Sequence, residues 1–550
     1  MSIEVIRTPV LVVGGGPVGL ALACDLGWRG QSCVLVEERT GATQHPKATL
    51  VGARSMEHFR RWGIDGKVFD AGLPQDKAYY IVFTTRLCGA ELYRFRSPSI
   101  AEVRSASPEV RARWRELAWS PYSKTQIGQQ ALEPLLLALA ASHAPRVSMR
   151  HGWRLTGFRD EGSLVRAEIE HVAGGRRAQV EADYLVACDG GASGVRRELG
   201  IRLNGRGIMR ANVSFFFRSQ SFLERHGRGI ANLYFVFAPD SCGVFTAIDG
   251  RELWNYQYYF LDPAKRTRDL DAAAILHRAM GEPFDFELLA TTHWHHHQSV
   301  ARQWRSGRVF LAGDAAHLFP PTGGVGMNTG IGDAVDLAWK LDAVLRGWGG
   351  PALLASYERE RKPIAVRNSI LSANNSDKID MVMDETPPDI ERAGERGTRL
   401  RAELAQKIRW LAKQFNSAGV HLGYRYADSP ICVPDGTFEP PDDPTQVTAS
   451  TWPGCRAPHL WLEPGRSMLD LFGRTWVLLD FGRNPDAGAP LVRCFEDARA
   501  PVELVRLDHD DARSIYERRF VLVRPDGHVA WRGDDVPGDV ASVVDKVRGA

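Results

Sequence analysis

Val10-Leu11-Val12-Val13-Gly14-Gly15-Gly16-Pro17-Val18-Gly19 is the stretch that decides the fold. Four aliphatic residues in a row suit a strand buried on both faces, as in a parallel sheet. A Gly-x-Gly-x-x-Gly loop follows, then a small-residue helix from Leu20 to Gly27, then a second strand, Cys33-Val34-Leu35-Val36, ending at Glu37. This is a βαβ unit. Its three glycines serve a tight turn, close approach of a pyrophosphate, and packing of the helix on the sheet. The helix start offers free N–H groups and a positive dipole end to phosphates. Glu37 lies 37 − 19 = 18 residues beyond Gly19, where a carboxylate accepts from ribose hydroxyls. Glu38 is its solvated neighbour. The contact set expected from this unit is Gly14, Gly16, Pro17, Val18, Gly19, Glu37 and Glu38, around a dinucleotide.

The rest of the chain sets bounds on that reading. Its 550 residues predict three or four structural units. Charged residues at 25% and apolar residues at 44% are ordinary globular composition, which excludes a disordered or collagen-like chain. The charge balance, 69 − 66 = +3, gives no reason to propose nucleic acid or an anionic membrane as partner, and a small molecule is expected instead. The 8 cysteines show no CxxC pair and no zinc-like spacing, so neither a dithiol centre nor a metal site is expected. The first residues carry no basic segment ahead of a long apolar one, and no apolar run reaches the ~18 residues of a membrane helix. A cytoplasmic protein is the expectation.

Further strand-like runs at Tyr184–Ala187 and Val309–Leu311 each end in a Gly/Asp pair. Between them, Val213–Phe217, Leu233–Phe237 and Leu253–Phe260 are aromatic and partly alternating, which predicts an inserted antiparallel sheet. From about 330 to 415 the pattern is helical, with Ala334, Leu337, Ala338, Leu341, Val344 and Leu345 on one face. The Pro-rich segment 430–445 marks a boundary. Beyond it, Trp476–Asp480, Val502–Val505 and Phe520–Val523 read as strands, the last entering a hairpin through Asp526-Gly527.

Two further motifs determine which dinucleotide is bound. Leu185-Val-Ala-Cys-Asp189-Gly190-Gly-Ala-Ser193-Gly-Val-Arg196 ends one strand, and Phe310-Leu-Ala-Gly313-Asp314-Ala-Ala-His317 ends another. Together with the first loop they resemble the p-hydroxybenzoate hydroxylase family of single-component FAD monooxygenases, over roughly residues 8 to 370. The resemblance implies that Asp189 and Gly190 contact FAD and the nicotinamide cosubstrate, and that Gly313 and Asp314 hold the ribityl chain. Pro320-Pro321-Thr-Gly323-Gly324-Val-Gly326-Met327-Asn328-Thr-Gly330 continues the match. Its backbone N–H groups then approach the flavin, where donors stabilise the charge of the reduced ring. By the same resemblance Lys47 stands where the family has an arginine, keeping the charge but not the planar fork. Arg54 matches an arginine beside the flavin, and Gln129 a glutamine on its ribityl or phosphate side.

The segment 422–431 and all that follows are similar to the phenol and dichlorophenol hydroxylase branch and to polyketide hydroxylases, which implies a thioredoxin-like C-terminal domain. Without CxxC that domain has no dithiol chemistry here. The expected architecture is α/β: a Rossmann-like FAD domain of the glutathione-reductase type (1–75, 121–204, 301–375), an inserted antiparallel substrate domain (76–120, 205–300), a helical connection (376–428) and the thioredoxin-like domain (429–550). The implied cofactors are tightly bound FAD, transient NADPH or NADH, and O2. The implied reaction is hydroxylation of a phenol, hydroxypyridine or polyketide aromatic through a flavin C4a-hydroperoxide, and a homo-oligomer is open. A Baeyer–Villiger oxygenase, a flavin reductase and a flavoprotein that merely sequesters an aromatic compound are the competing readings.

The base that activates the ring is the least defined part. The phenol hydroxylase type places an aspartate just after the Lys47 region, but Thr49 stands there. His295 and His297 fall on one face of a strand by alternation. Those two, with Tyr256 of the inserted sheet and Pro321 of the flavin loop, are the catalytic candidates. The same histidines also read as core or surface residues, and no carboxylate at ligand spacing makes them a metal site.

Overall fold

A computed structural model of the chain describes residues 3–41, 43, 45–105, 107–259 and 270–550. The quoted stretch builds its centre. Glu4–Val13 is a strand whose last four residues are buried, and Pro17 opens the helix Pro17–Arg29 in its first turn, where a missing N–H is not needed. The strands Val309–Leu311, Arg177–Ala187, Glu4–Val13, Cys33–Glu37 and Val147–His151 lie side by side and parallel in that order. Helices Gln129–Ser142 and Gly326–Leu345 pack beside Pro17–Arg29.

A second sheet runs His317–Leu318, Glu287–Ala301, Leu203–Arg218, Leu253–Tyr259, Gly243–Ala247, Leu233–Val236, Tyr79–Thr84 and Glu91–Ser97. It is antiparallel except where Leu233–Val236 meets Tyr79–Thr84. One face carries Phe215, Phe217, Phe245, Trp254 and Tyr256 under the helix Ala272–Met280. The other places Ile81, Phe83, Phe235 and Tyr259 against the helices Pro351–Asp384 and Gly394–Leu411. Burial on both faces is why its sequence is aromatic in runs rather than strictly alternating. Phe260 lies outside the described residues.

The elements run through the expected unit limits. Leu203–Arg218 starts before residue 205, and Pro351–Asp384 continues unbroken through 375 and 376. His317–Leu318, from the nucleotide unit, pairs with Ser299 and Val300 of the inserted sheet. Strands and helices shared between units make them one packed body, which no composition shift reveals.

In the last unit, strands Val502–Arg506, Trp476–Asp480, Phe520–Val523 and Val529–Gly533 follow in that order, the first pair parallel and the others antiparallel. Helices Ala489–Asp497 and Val540–Arg548 cover one face and Asp510–Tyr516 the other, the thioredoxin-like arrangement. Its core is continuous with Trp339, Ala343, Trp348 and Leu353 of the nucleotide unit. No described helix is long and apolar enough to cross a membrane.

Candidate active site

The parallel register aligns four strand ends. Val13 stands beside Ala187 and Val36, and Ala187 beside Leu311. At about 4.8 Å per strand, the loops after them span roughly 14 Å of one sheet edge. Ligands of doubly wound sheets occupy the crevice at this carboxyl edge.

The glycines of the first loop divide their work. Gly14 has φ 104°, and a Cβ there would collide with the Cys188 carbonyl. A Cβ on Gly16 would meet no atom within 4 Å, so that glycine is not required by the fold and faces the open crevice. Glu37 accepts from the Gly15 N–H at 2.5 Å and from the Arg39 N–H and Nε at 2.9 and 2.8 Å. Burial would raise its carboxyl, but these bonds and the Arg39 charge hold it below the usual range, so it is ionised. Glu38 is exposed.

The second and third motifs are tied together. Arg196 donates to the carbonyls of Gly191 at 2.8 Å and Ala315 at 2.9 Å. Asp189 accepts from the Val195 N–H with one oxygen, while its other oxygen is buried with no hydrogen-bond partner among the described residues. Gly190 turns at φ 79°. Asp333, buried, accepts from the Gly313 N–H at 3.2 Å, lies 2.7 Å from His317 Nε2, and is held by Arg361 at 2.9 Å. Asp314 itself is open to solvent although it lies deep among protein atoms, as a group on the floor of a cleft does. That burial raises its carboxyl, opposed by His317 and Lys47. A solvent-open backbone at Gly16, an unpartnered carboxylate oxygen at Asp189 and a cleft-floor carboxylate at Asp314 fit FAD as a group that fills one edge.

Around this edge several side chains differ from expectation. Arg54 is buried, but its guanidinium binds Glu57 at 2.8 Å and the Asp526 carbonyl at 2.6 Å, so it braces the C-terminal unit and does not face the cleft. Asn328 spends its amide on Gly52, Ser55, Leu50 and Gly324, at 2.6–3.0 Å, which leaves its backbone N–H, with those of Gly326 and Met327, as the first-turn donors of the helix Gly326–Leu345. Gln129 opens the helix Gln129–Ser142, its N–H on the Ala48 carbonyl and its amide on Glu133 at 2.7 Å. Lys47 is exposed beside it. Pro321 is exposed, and its carbonyl accepts from the Gly324 N–H. Having no titratable group, it shapes the loop and performs no acid–base step. Gly324, at φ 64°, lets that loop pass Leu50.

The catalytic candidates of the sheet are displaced. Tyr256 is fully buried, packs at a tilt against Phe245 with ring centroids 4.2 Å apart and donates to the Ser241 carbonyl; burial raises its phenol well above the ordinary value. It is core and unsuited as a base. Alternation does put His295 and His297 on one face, but it is the face that leaves His295 exposed, while Trp294 and His296 point inward. Period two tells which residues share a face and cannot say which face is covered.

Sequence reasoning missed His45. Its ring lies edge-on to Phe216 at 5.9 Å, where the nucleotide unit meets the inserted sheet. Both ring nitrogens are buried without a partner among the described residues. Burial and the Lys47 ammonium push it below the ordinary histidine value, so it is neutral. Its position just before Pro46-Lys47-Ala48 was the available signal.

Known proteins are similar to this chain over nearly its whole length. The family described as FAD binding domain matches residues 7–370, and that described as aromatic-ring hydroxylase, C-terminal, matches residues 450–550. The FAD-dependent monooxygenase apdD of Emericella nidulans is 33% identical, over 96% of this chain and 88% of its own. Aklavinone 12-hydroxylase DnrF of Streptomyces peucetius is 32% identical, over 87% of this chain and 92% of its own. The solved structure of native and K252c-bound RebC-10x superposes with a TM-score of 0.90 at 38% identity, covering 99% of this chain and 100% of that one.

Proposed function

The chain belongs to the FAD-dependent aromatic-ring hydroxylases, and from that premise we propose that it hydroxylates a fused-ring phenol of the polyketide type, with His45 as the base. It is an enzyme that uses FAD, NAD(P)H and O2. Bound FAD supplies hydride acceptance and oxygen activation; the residues of this chain supply binding, orientation and proton handling. The Gly16 backbone and the start of the helix Pro17–Arg29 hold the pyrophosphate, Glu37 the ribose, Asp314 the ribityl hydroxyls, and Asp189 faces the same edge. The first-turn N–H groups at Gly326, Met327 and Asn328 would face the flavin ring and stabilise negative charge there.

The observation that carries the substrate assignment is the unpartnered, neutral His45 ring against Phe216, at the seam between the flavin loops and the inward sheet face of Ser214 and Trp294. A phenol is a poor nucleophile while protonated, and a neutral imidazole accepts its proton. The inserted sheet acts as the substrate unit, and residues 429–550 act as a brace. Relatives named for aklavinone hydroxylation and for K252c binding favour a multi-ring substrate over a single phenol.

The test is anaerobic flavin reduction by NADPH, followed by absorbance, with and without phenols, hydroxypyridines and hydroxyanthraquinones. Sharp acceleration by the fused-ring compounds is expected. Equal rates without any ligand overturn the assignment.

A further inference from the structure

On the sheet face turned toward the helix Pro351–Asp384, Arg210 Nε, both amide atoms of Asn212 and His296 Nε2 are buried with no hydrogen-bond partner among the described residues. Asn212 and His296 are each 1% exposed. The three residues are neighbours. Arg210 and His296 are register partners across Leu203–Arg218 and Glu287–Ala301, and Asn212, opposite Trp294, stands two positions along on the same face. Folded proteins leave few buried polar atoms unpaired, and a cluster of them on one surface needs an account.

Their proton inventory is fixed by the partners they do have. Arg210 stacks over Tyr259 at 4.2 Å, binds Asp380 through Nη1, and lies with Nη2 3.4 Å from His296 Nδ1. A guanidinium only donates, so His296 Nδ1 accepts and its ring proton sits on Nε2. Burial and Arg210 lower His296 to about 2, which keeps it neutral. The cluster therefore presents N–H groups from Arg210, His296 and Asn212, and one acceptor, Asn212 Oδ1. Because the Arg210 charge is already matched by Asp380, a carboxylate placed here would be a buried excess charge.

The long helix sets the distance to the flavin loop. Ser372 Oγ donates to the carbonyls of Pro320 and Thr322 at 2.7 and 2.8 Å, Ser376 lies 3.4 Å from His296, and Asp380 holds Arg210. From Ser372 to Ser376 and to Asp380 is about 6 and 12 Å at 1.5 Å per residue, within the reach of a fused-ring aromatic that starts at the loop. Resting on the hydroxylase reading above, we propose that Arg210, Asn212 and His296 form a specificity subsite for a neutral hydroxy-carbonyl edge of that aromatic. The carbonyl oxygen receives the N–H groups, and the adjacent hydroxyl donates to Asn212 Oδ1.

The experiment titrates FAD-loaded enzyme with 1-hydroxyanthraquinone, anthraquinone and anthraquinone-1-carboxylate, reading Kd from the flavin absorbance change. The hydroxyquinone is expected to bind at least tenfold more tightly than either other compound. In Asn212→Leu, and in His296→Phe should that variant fold poorly, the preference over anthraquinone is expected to fall below twofold at unchanged FAD content. A preference near one in the unmutated enzyme, a preference retained in the variants, or tightest binding of the carboxylate overturns the subsite. If no compound perturbs the flavin, the fused-ring reading itself fails and the subsite falls with it.

Discussion

Arg524, in the hairpin of the C-terminal unit, contacts both carboxylate oxygens of Glu360 in the long helix at 2.6 and 2.9 Å, and neither side chain has any exposed surface. Arg524 also binds Asp526 at 2.7 Å and Asp336 at 3.2 Å, and Lys340 binds Asp336 at 2.8 Å and Glu360 at 2.5 Å. Two cations face three carboxylates. Burial raises the Asp336 carboxyl above the usual carboxylate range, opposed by Lys340 and Arg524. A few residues away, Glu57 is flanked by Arg54 and Arg456; these overcome burial and hold it at about 2. The C-terminal unit is thus built into the wall behind the flavin motifs.

Removing Arg524 leaves three carboxylates buried without their main cation. Arg524→Met is expected to cost about 3–5 kcal/mol, since breaking a buried pair strands its partner. Thermal unfolding monitored by tryptophan and by flavin release should show both transitions shifting down together. Separate transitions would mean that the C-terminal unit does not brace the cofactor site.

Two glycines of one loop should fail differently. Gly14→Ala puts a Cβ against the Cys188 carbonyl at a φ of 104°, and destabilisation of the whole fold is expected. Gly16→Ala puts a Cβ where nothing lies within 4 Å, so a chain of normal melting temperature with weakened FAD retention is expected. Bound-flavin stoichiometry beside circular dichroism decides it.

Asp314→Ala removes the cleft-floor carboxylate while leaving Asp333, His317 and Arg361 in place. The FAD dissociation constant is expected to rise by on the order of 10 to 100-fold, the worth of roughly 1.4 to 2.8 kcal/mol of charged hydrogen bonding. Flavin fluorescence on dilution measures it.

His45→Ala is expected to slow hydroxylation on the order of 10²-fold and to uncouple NADPH oxidation from product. In the unmutated enzyme the rate should fall only below the ordinary histidine pKa, because burial and Lys47 lower His45. His295→Ala and His297→Ala, on the other sheet face, should change the rate less than twofold. A stronger effect from the latter pair would reverse the assignment.

Acid stability follows from buried neutral histidines. Burial holds His226 and His528 at about 4, and His421 and His459 at about 3. In the unfolded chain they titrate near 6.5, so between about pH 6.5 and 4 the unfolded state binds more protons. Stability is full above pH 6.5 and is lost as pH falls through that window, by about 1.4 kcal/mol per pH unit for each histidine. Asp314, Asp336 and Asp380, raised in the folded state, work in the opposite direction, but the four histidines outnumber them. Urea unfolding at pH 7, 6 and 5 should show a falling midpoint.

Part of the candidate site was legible because its signals are local. A glycine that needs positive φ, as at Gly14, or an open face, as at Gly16, is marked in the sequence by its type and spacing. The same holds for Glu37, Asp189 and Asp314, which terminate hydrophobic strands. The roles of Arg54 and Asn328 were not legible, since each is decided by a partner far along the chain: Asp526 for one, Gly52 and Leu50 for the other.

The family resemblance pointed to FAD, while by itself the sequence determined the order of strands and helices and the three loops that end buried strands. Those follow from periodicity and backbone stereochemistry, which act over a few residues. Only the tertiary structure decided which face of the inserted sheet looks inward, which histidine meets the seam, and how the last unit is anchored. Those depend on which distant segments cover a surface. Alternation makes His295 and His296 equivalent until the helix Pro351–Asp384 is laid over one of them.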